Sequence, residues 1–123
     1  MRNTLSTLRK TLAGGRKLSM LTCYDAGFAR AMEAAGVDCL LVGDSLGMVV
    51  QGHESTLPVT VHDIAYHLGC LARATTRPWL MGDLPFGSYQ ESPAQALRSS
   101  VQLMQAGAQM VKLEGGAELT DTV

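Results

Sequence analysis

Four acidic residues close short apolar runs: Asp25 after MLTCY, Asp44 after CLLVG, Asp83 after WLMG and Glu114 after QMVKL. A carboxylate at the end of a buried strand has two common uses. It can accept hydrogen bonds from the first amides of a following helix, or it can hold a cation. Carboxylates gathered on one rim repel one another unless positive charge sits among them, and a hard divalent ion fills that need. Mg2+ takes one or two protein carboxylates and keeps its other positions for water and substrate. Asp44 and Asp83 match that demand. Lys112 stands in an otherwise apolar run, two residues before Glu114, so the strand period puts both on one face. A lysine there must meet an anion or have its charge suppressed.

Each acid also has a structural reading. Helical periodicity begins immediately after Asp25, which favours capping there. Spacing alone leaves capping and metal binding evenly matched for Asp44 and Asp83. Asp83 precedes Leu84-Pro85, and the residue before a proline avoids the helical region, which counts against immediate helix entry. For Lys112 a functional role is favoured over a structural ion pair with Glu114. His53 lies in a loop, and His62 and His67 fall on the polar side of a helix. No zinc-type histidine spacing occurs, so solvated or hydrogen-bonded histidines are the expectation. GDSLG does not have the form of a nucleophile elbow, so Ser45 gains no such role.

The elements that must position these residues follow a repeating plan. Residues 17–24 read as a strand. Phe28, Ala29, Met32 and Ala35 have helical spacing up to Gly36. Residues 37–43 form a near-continuous apolar run, as a parallel strand covered on both faces requires. A long loop is expected from Asp44 to Pro58. Thr60 with Asp63 three residues on is close to a capping box, followed by the stripe Val61, Ile64, Ala65, Leu68, Leu71 and Ala72. Residues 78–83 are a third strand. Ser92-Pro93 starts a helix carrying Leu97, Val101 and Met104 and closed by Gly107. Residues 108–114 are a fourth strand, with a fourth helix expected from Ala117. Strand–helix alternation of this kind implies an α/β fold with a parallel sheet. Its functional face is the carboxyl end of the strands.

The chain has 123 residues, enough for about one domain with a core. Hydrophobic residues make up 46% and charged residues 17%, which argues against disorder. The formal charge of −1 offers no basic surface to nucleic acid or to an anionic membrane. No apolar run approaches the roughly 18 residues of a spanning helix. Cys23, Cys39 and Cys70 are odd in number and lie in apolar segments, which suits free thiols in a reducing, cytoplasmic setting. Residues 1–24 carry five Arg or Lys and no acid. That composition is shared with transit peptides, but Leu5, Leu8 and Leu12 on one face favour a short leading helix.

MLTCYDAGFA, VGDSLGMVVQGHESTLPVTVHDIAYH, GDLPFGSYQ and AGAQMVKLEGG, in this order and spacing, closely resemble the ketopantoate hydroxymethyltransferase family. The resemblance covers the chain from about residue 5. It implies the first half of a TIM-type (β/α)8 barrel, with residues 1–123 a single partial domain. It also implies Mg2+ and 5,10-methylenetetrahydrofolate as one-carbon donor to 3-methyl-2-oxobutanoate. Carried over by position, Asp44 and Asp83 match metal ligands, and Glu114 matches a further acid of the metal site. Asp44, Ser45, Asp83 and Lys112 match contacts to the 2-oxo acid. The family's proton-abstracting glutamate matches nothing here, so a short or interrupted form of the enzyme, inactive alone, is expected. The full-length family members are expected to form decamers. Two other readings stay open: a non-catalytic half-barrel acting by assembly, and another Mg2+-dependent oxo-acid enzyme of the phosphoenolpyruvate/pyruvate barrel superfamily.

Overall fold

The computed structural model describes residues 1–123. Helix α1 spans Leu5–Ala13 and precedes strand β1, Met20–Thr22. Helix α2 (Ala26–Ala34) leads to β2 (Cys39–Val42), and a short helix α3 (Leu46–Val49) precedes α4 (Val61–Ala74). Strand β3 (Trp79–Asp83), helix α5 (Pro93–Gln105) and β4 (Met110–Lys112) follow, with a 3-10 turn at Ala117–Leu119. The sheet has the order β1-β2-β3-β4 and every pair is parallel. This is the α/β alternation that the sequence implies.

The helix starts follow from local chemistry. Thr60 and Asp63 form a full capping box at the head of α4, each side chain bonded to the other's backbone amide. Ser92 accepts from the Gln95 amide with Pro93 in the first turn of α5. Gly36 and Gly107, at φ of 88° and 116°, reverse the chain after α2 and α5 at little steric cost.

The core lies between the sheet and α4. Leu40, Val42 and Leu80 pack on Ile64, Leu68, Leu71 and Leu103, all fully buried. Gly82 sets how close α4 comes: a Cβ there would stand 2.7 Å from Leu68 Cδ1. On the opposite face Leu8 of α1 joins Cys39 and Trp79 in a second, smaller cluster. Arg2, just before α1, donates to the carbonyls of Ala72, Thr75 and Pro78 and so straps the amino terminus to the base of β3.

Several expectations are corrected. The stretch expected as one long loop after Asp44 contains α3. Only Leu8 of the expected α1 face is buried, while Leu5 and Leu12 are exposed. On α5 the buried residues are Ala96, Ser99 and Leu103, and Leu97, Val101 and Met104 face outward. A helical stripe shows which residues share a face, but not which face meets the sheet. Strands β1 and β4 are shorter than expected, and β1 is wholly exposed as an edge strand. The expected fourth helix is only the 3-10 turn.

Asp38, unremarked in the sequence, is buried and joins the sheet to its leading segment. Its carboxylate accepts from Arg16 Nη1 and Nη2 at 3.0 and 2.7 Å, and from the Ser19 amide and hydroxyl at 2.9 and 3.0 Å. The Arg16 hydrogen bonds hold the Asp38 carboxyl down at about 2, against the opposing pull of burial. A lowered folded-state pKa adds stability above the unfolded value and loses it as pH falls through the folded one. Asp38→Ala should therefore cost about 1–3 kcal/mol in urea unfolding near neutral pH. The difference from wild type should shrink as pH drops from 3.8 to about 2; a pH-independent difference would refute this account.

Candidate functional site

The carboxyl ends of β2, β3 and β4 bring together the residues singled out by spacing. Register does this: Asp83 is the Cα partner of Lys112 in the β3–β4 pair. Lys112 Nζ stands 2.9 Å from Asp83 Oδ1 and 2.9 Å from Glu114 Oε1. The two acids are not equivalent, because the side chain of Asp83 is 8% exposed and that of Glu114 is 80% exposed. Asp83 Oδ2 accepts from the Asp44 backbone amide at 3.1 Å. Asp83 Oδ1 is buried, and Lys112 Nζ is the polar group that reaches it.

The electrostatics follow from this burial. Desolvation pushes the Asp83 carboxyl above the usual aspartate value despite Lys112 and the Asp44 amide, and the charge of Asp44 adds to the upward push. Burial also works against the Lys112 ammonium, but Asp83 and Glu114 outweigh it and hold its pKa above the ordinary lysine value. Hydrogen bonding and charge from Lys112 lower Glu114. Lysine therefore stays charged, and Asp83 is the more reluctant ion of the pair.

Asp44, Asp83, Lys112 and Glu114 line one cavity of about 170 Å3, with Leu57, Phe86 and Tyr89 on its walls. Asp44 caps no helix. It precedes α3, whose first flanking residue, Ser45, makes no side-chain capping bond either. Asp25, in contrast, accepts from the Phe28 amide at 2.9 Å as the cap of α2 and stays outside the cavity. The histidines stand as expected: His53 and His62 are exposed. His67 Nδ1–H donates to the Tyr24 carbonyl at 2.6 Å. All three cysteines are free thiols.

The oxygen donors of this cavity have the chemistry that Mg2+ requires. Two carboxylates, Asp44 and Asp83, line the cavity at the rim and offer hard oxygens, which suits an ion that keeps positions for substrate. The expected three-acid arrangement does not assemble. No three acidic, histidine or cysteine side chains converge on one point, and Glu114 is turned to Lys112. The fit rests on Asp44 and Asp83.

Sequence reasoning passed over three contributors. Tyr89 donates to the Glu114 carbonyl at 2.8 Å and accepts from the Glu114 amide at 3.2 Å, holding the chain after β4. The Tyr24 hydroxyl meets Ser45 Oγ at 2.6 Å. Gly43 leaves room between them: a Cβ there would stand 3.0 Å from Ser45 Oγ, 3.4 Å from Asp83 Oδ2 and 3.7 Å from the Tyr24 hydroxyl. The position of Tyr24 and Gly43 beside strand-end acids was the available signal, since both fall on the functional rim.

The fold matches the 2,3-dimethylmalate lyase described as a PEP mutase/isocitrate lyase superfamily member, at 20% identity and a TM-score of 0.66 over 92% of this chain and 40% of that one. It also matches phosphonopyruvate hydrolase, solved with oxalate and Mg++, at 15% identity and a TM-score of 0.71 over 94% and 41%. These likenesses define the fold class: the first βα units of a TIM-type barrel. Residues 2–123 match the family profile of ketopantoate hydroxymethyltransferase, and the chain belongs to that family. It is 61% identical to the 3-methyl-2-oxobutanoate hydroxymethyltransferase of Thiobacillus denitrificans, over 98% of this chain and 46% of that protein. The enzyme of the same name from Azoarcus sp. is 61% identical over 98% and 44%. The chain thus spans less than half the length of these relatives.

Gly43 does not have a positive φ, so alanine there tests space alone. Gly43→Ala should lower stability by about 1–3 kcal/mol through crowding. It should also shift the NMR signals of Ser45 and Asp83; an unchanged urea midpoint and unchanged shifts would show that the cradle has slack.

Proposed function

We propose that these residues form the oxo-acid and metal side of a 3-methyl-2-oxobutanoate hydroxymethyltransferase. In that reaction 5,10-methylenetetrahydrofolate supplies the one-carbon unit and ketopantoate, a precursor of pantothenate, is the product. The observation that carries the reading is the convergence of Asp44, Asp83 and Lys112 on one cavity at the strands' carboxyl ends. The names of the 61% identical relatives support it.

Asp44 and Asp83 would hold Mg2+. Bound there, Mg2+ supplies Lewis-acid polarisation of the 2-oxo group, which makes the neighbouring C3 proton removable. Lys112 places a fixed positive charge beside Asp83, where the substrate carboxylate and developing oxyanion need it. Ser45, across Gly43 from Asp83 and outside the cavity lining itself, would bind and orient the oxo acid through its hydroxyl. Tyr89 keeps the chain after β4 in place and so fixes Glu114 beside Lys112. The proton-abstracting glutamate implied by the family has no counterpart among these residues, so the complete reaction draws on the remainder of the barrel.

A related Mg2+-dependent oxo-acid chemistry is the alternative favoured by the fold, since a structural neighbour is a lyase and another a hydrolase. Presenting 3-methyl-2-oxobutanoate with folate supplied or omitted separates the two readings, because only hydroxymethyl transfer depends on the folate.

Titration calorimetry tests the site directly. Mg2+ and 3-methyl-2-oxobutanoate should bind together, and Asp44→Ala or Asp83→Ala should each weaken Mg2+ binding by about 1.5–3 kcal/mol. Lys112→Met should weaken the oxo acid by a similar amount, with Mg2+ binding retained. Equal Mg2+ binding by wild type and both aspartate variants would overturn the metal assignment.

A further inference from the structure

The tyrosine that ends the first strand segment is held at both its backbone and its hydroxyl. Cys23, just before it, is buried, and its amide donates to the Leu41 carbonyl at 2.9 Å, extending the β1–β2 pairing. Tyr24 then offers its carbonyl to His67 Nδ1–H at 2.6 Å, which ties it to α4. A carbonyl can only accept, so the proton lies on Nδ1 of His67. The Tyr24 hydroxyl has one polar partner, Ser45 Oγ at 2.6 Å.

The direction of that hydrogen bond has a consequence. A phenol, with a pKa of about 10, is a stronger donor than a serine hydroxyl. The favoured arrangement is Tyr24 O–H donating to Ser45 Oγ. Ser45 then keeps its own proton free, and accepting a hydrogen bond makes its O–H a better donor. Ser45 Oγ has no partner besides the Tyr24 hydroxyl, so its proton is committed to no other acceptor. Ser45 Oγ and Asp83 Oδ2 both lie within 3.4 Å of one point, where a Gly43 Cβ would stand. The serine proton is thus available beside the carboxylates, where an anionic ligand group needs a donor.

We infer that Tyr24 is a positioning residue for oxo-acid binding: its hydroxyl fixes Ser45 so that the serine proton is presented to the ligand's carboxylate. The inference rests on the proposed oxo-acid function of this site. It predicts coupling, because Tyr24 acts on the ligand only through Ser45.

The test is a double-mutant cycle of Tyr24→Phe and Ser45→Ala in the full chain, with Mg2+ and 3-methyl-2-oxobutanoate titrated by calorimetry. Tyr24→Phe should weaken the oxo acid about fivefold, the worth of a typical neutral hydrogen bond. Mg2+ affinity measured without the oxo acid should not change, which a general loss of structure would not spare. In the Ser45→Ala background the same change should have no further effect. Equal losses in both backgrounds, undiminished oxo-acid binding by Tyr24→Phe, or a matching loss of Mg2+ affinity would each overturn the role of Tyr24. A wild-type chain that binds Mg2+ but no 2-oxo acid would overturn the proposed function itself, and this role with it.

Discussion

Asp83 is a carboxylate that the fold buries at the end of its central strand pair, and burying a charge is costly unless it is matched. The match is Lys112, delivered by the parallel register of β3 and β4 rather than by proximity in sequence. One oxygen takes the Asp44 amide and the other the Lys112 ammonium. Both oxygens of Asp83 thus face positive or donor groups at the rim, Lys112 on one side and the Asp44 amide on the other. The directions of the pKa changes agree: Lys112 is held charged and Asp83 is pushed up by its burial.

The rest of the chain holds this register in place. The core under β2 and β3 is built from α4, and Gly82 lets that helix approach closely enough to seal the sheet. Asp38 ties the start of β2 to Arg16 and Ser19, so the amino-terminal segment is anchored at the end of the sheet opposite the acids. The stabilising contacts and the candidate site therefore lie at opposite ends of the strands. This is the division between the amino and carboxyl ends expected of parallel βα architecture.

Outward apolar residues mark where the fold is open. Phe28 on α2, Leu97, Val101 and Met104 on α5, and Leu21 on β1 are exposed. Strands β1 and β4 occupy the two edges of the sheet. In a closed barrel such edges pair with further strands and such helix faces with neighbouring helices. The relatives from Thiobacillus denitrificans and Azoarcus sp. are more than twice as long as the matched segment.

Much of this was legible in the amino-acid sequence. The alternation of apolar runs with amphipathic stretches, the capping box at Thr60 and Asp63, and the Ser92-Pro93 start are local properties, decided within a few residues, and each stands where the pattern puts it. The strand-end position of Asp44, Asp83 and Lys112 was equally visible, because a two-residue period and an abrupt end to apolar residues suffice to locate it. The outward face of α5, the helix inside the expected loop, the pairing of Asp83 with Lys112 and the contact of Tyr24 with Ser45 were not. Each depends on which element lies next to which and in what register, and no spacing along the chain encodes that. Sequence determined the rim on which the candidate site stands; the tertiary structure decided which of the acids is buried, and burial is what separates Asp83 from the solvated Glu114.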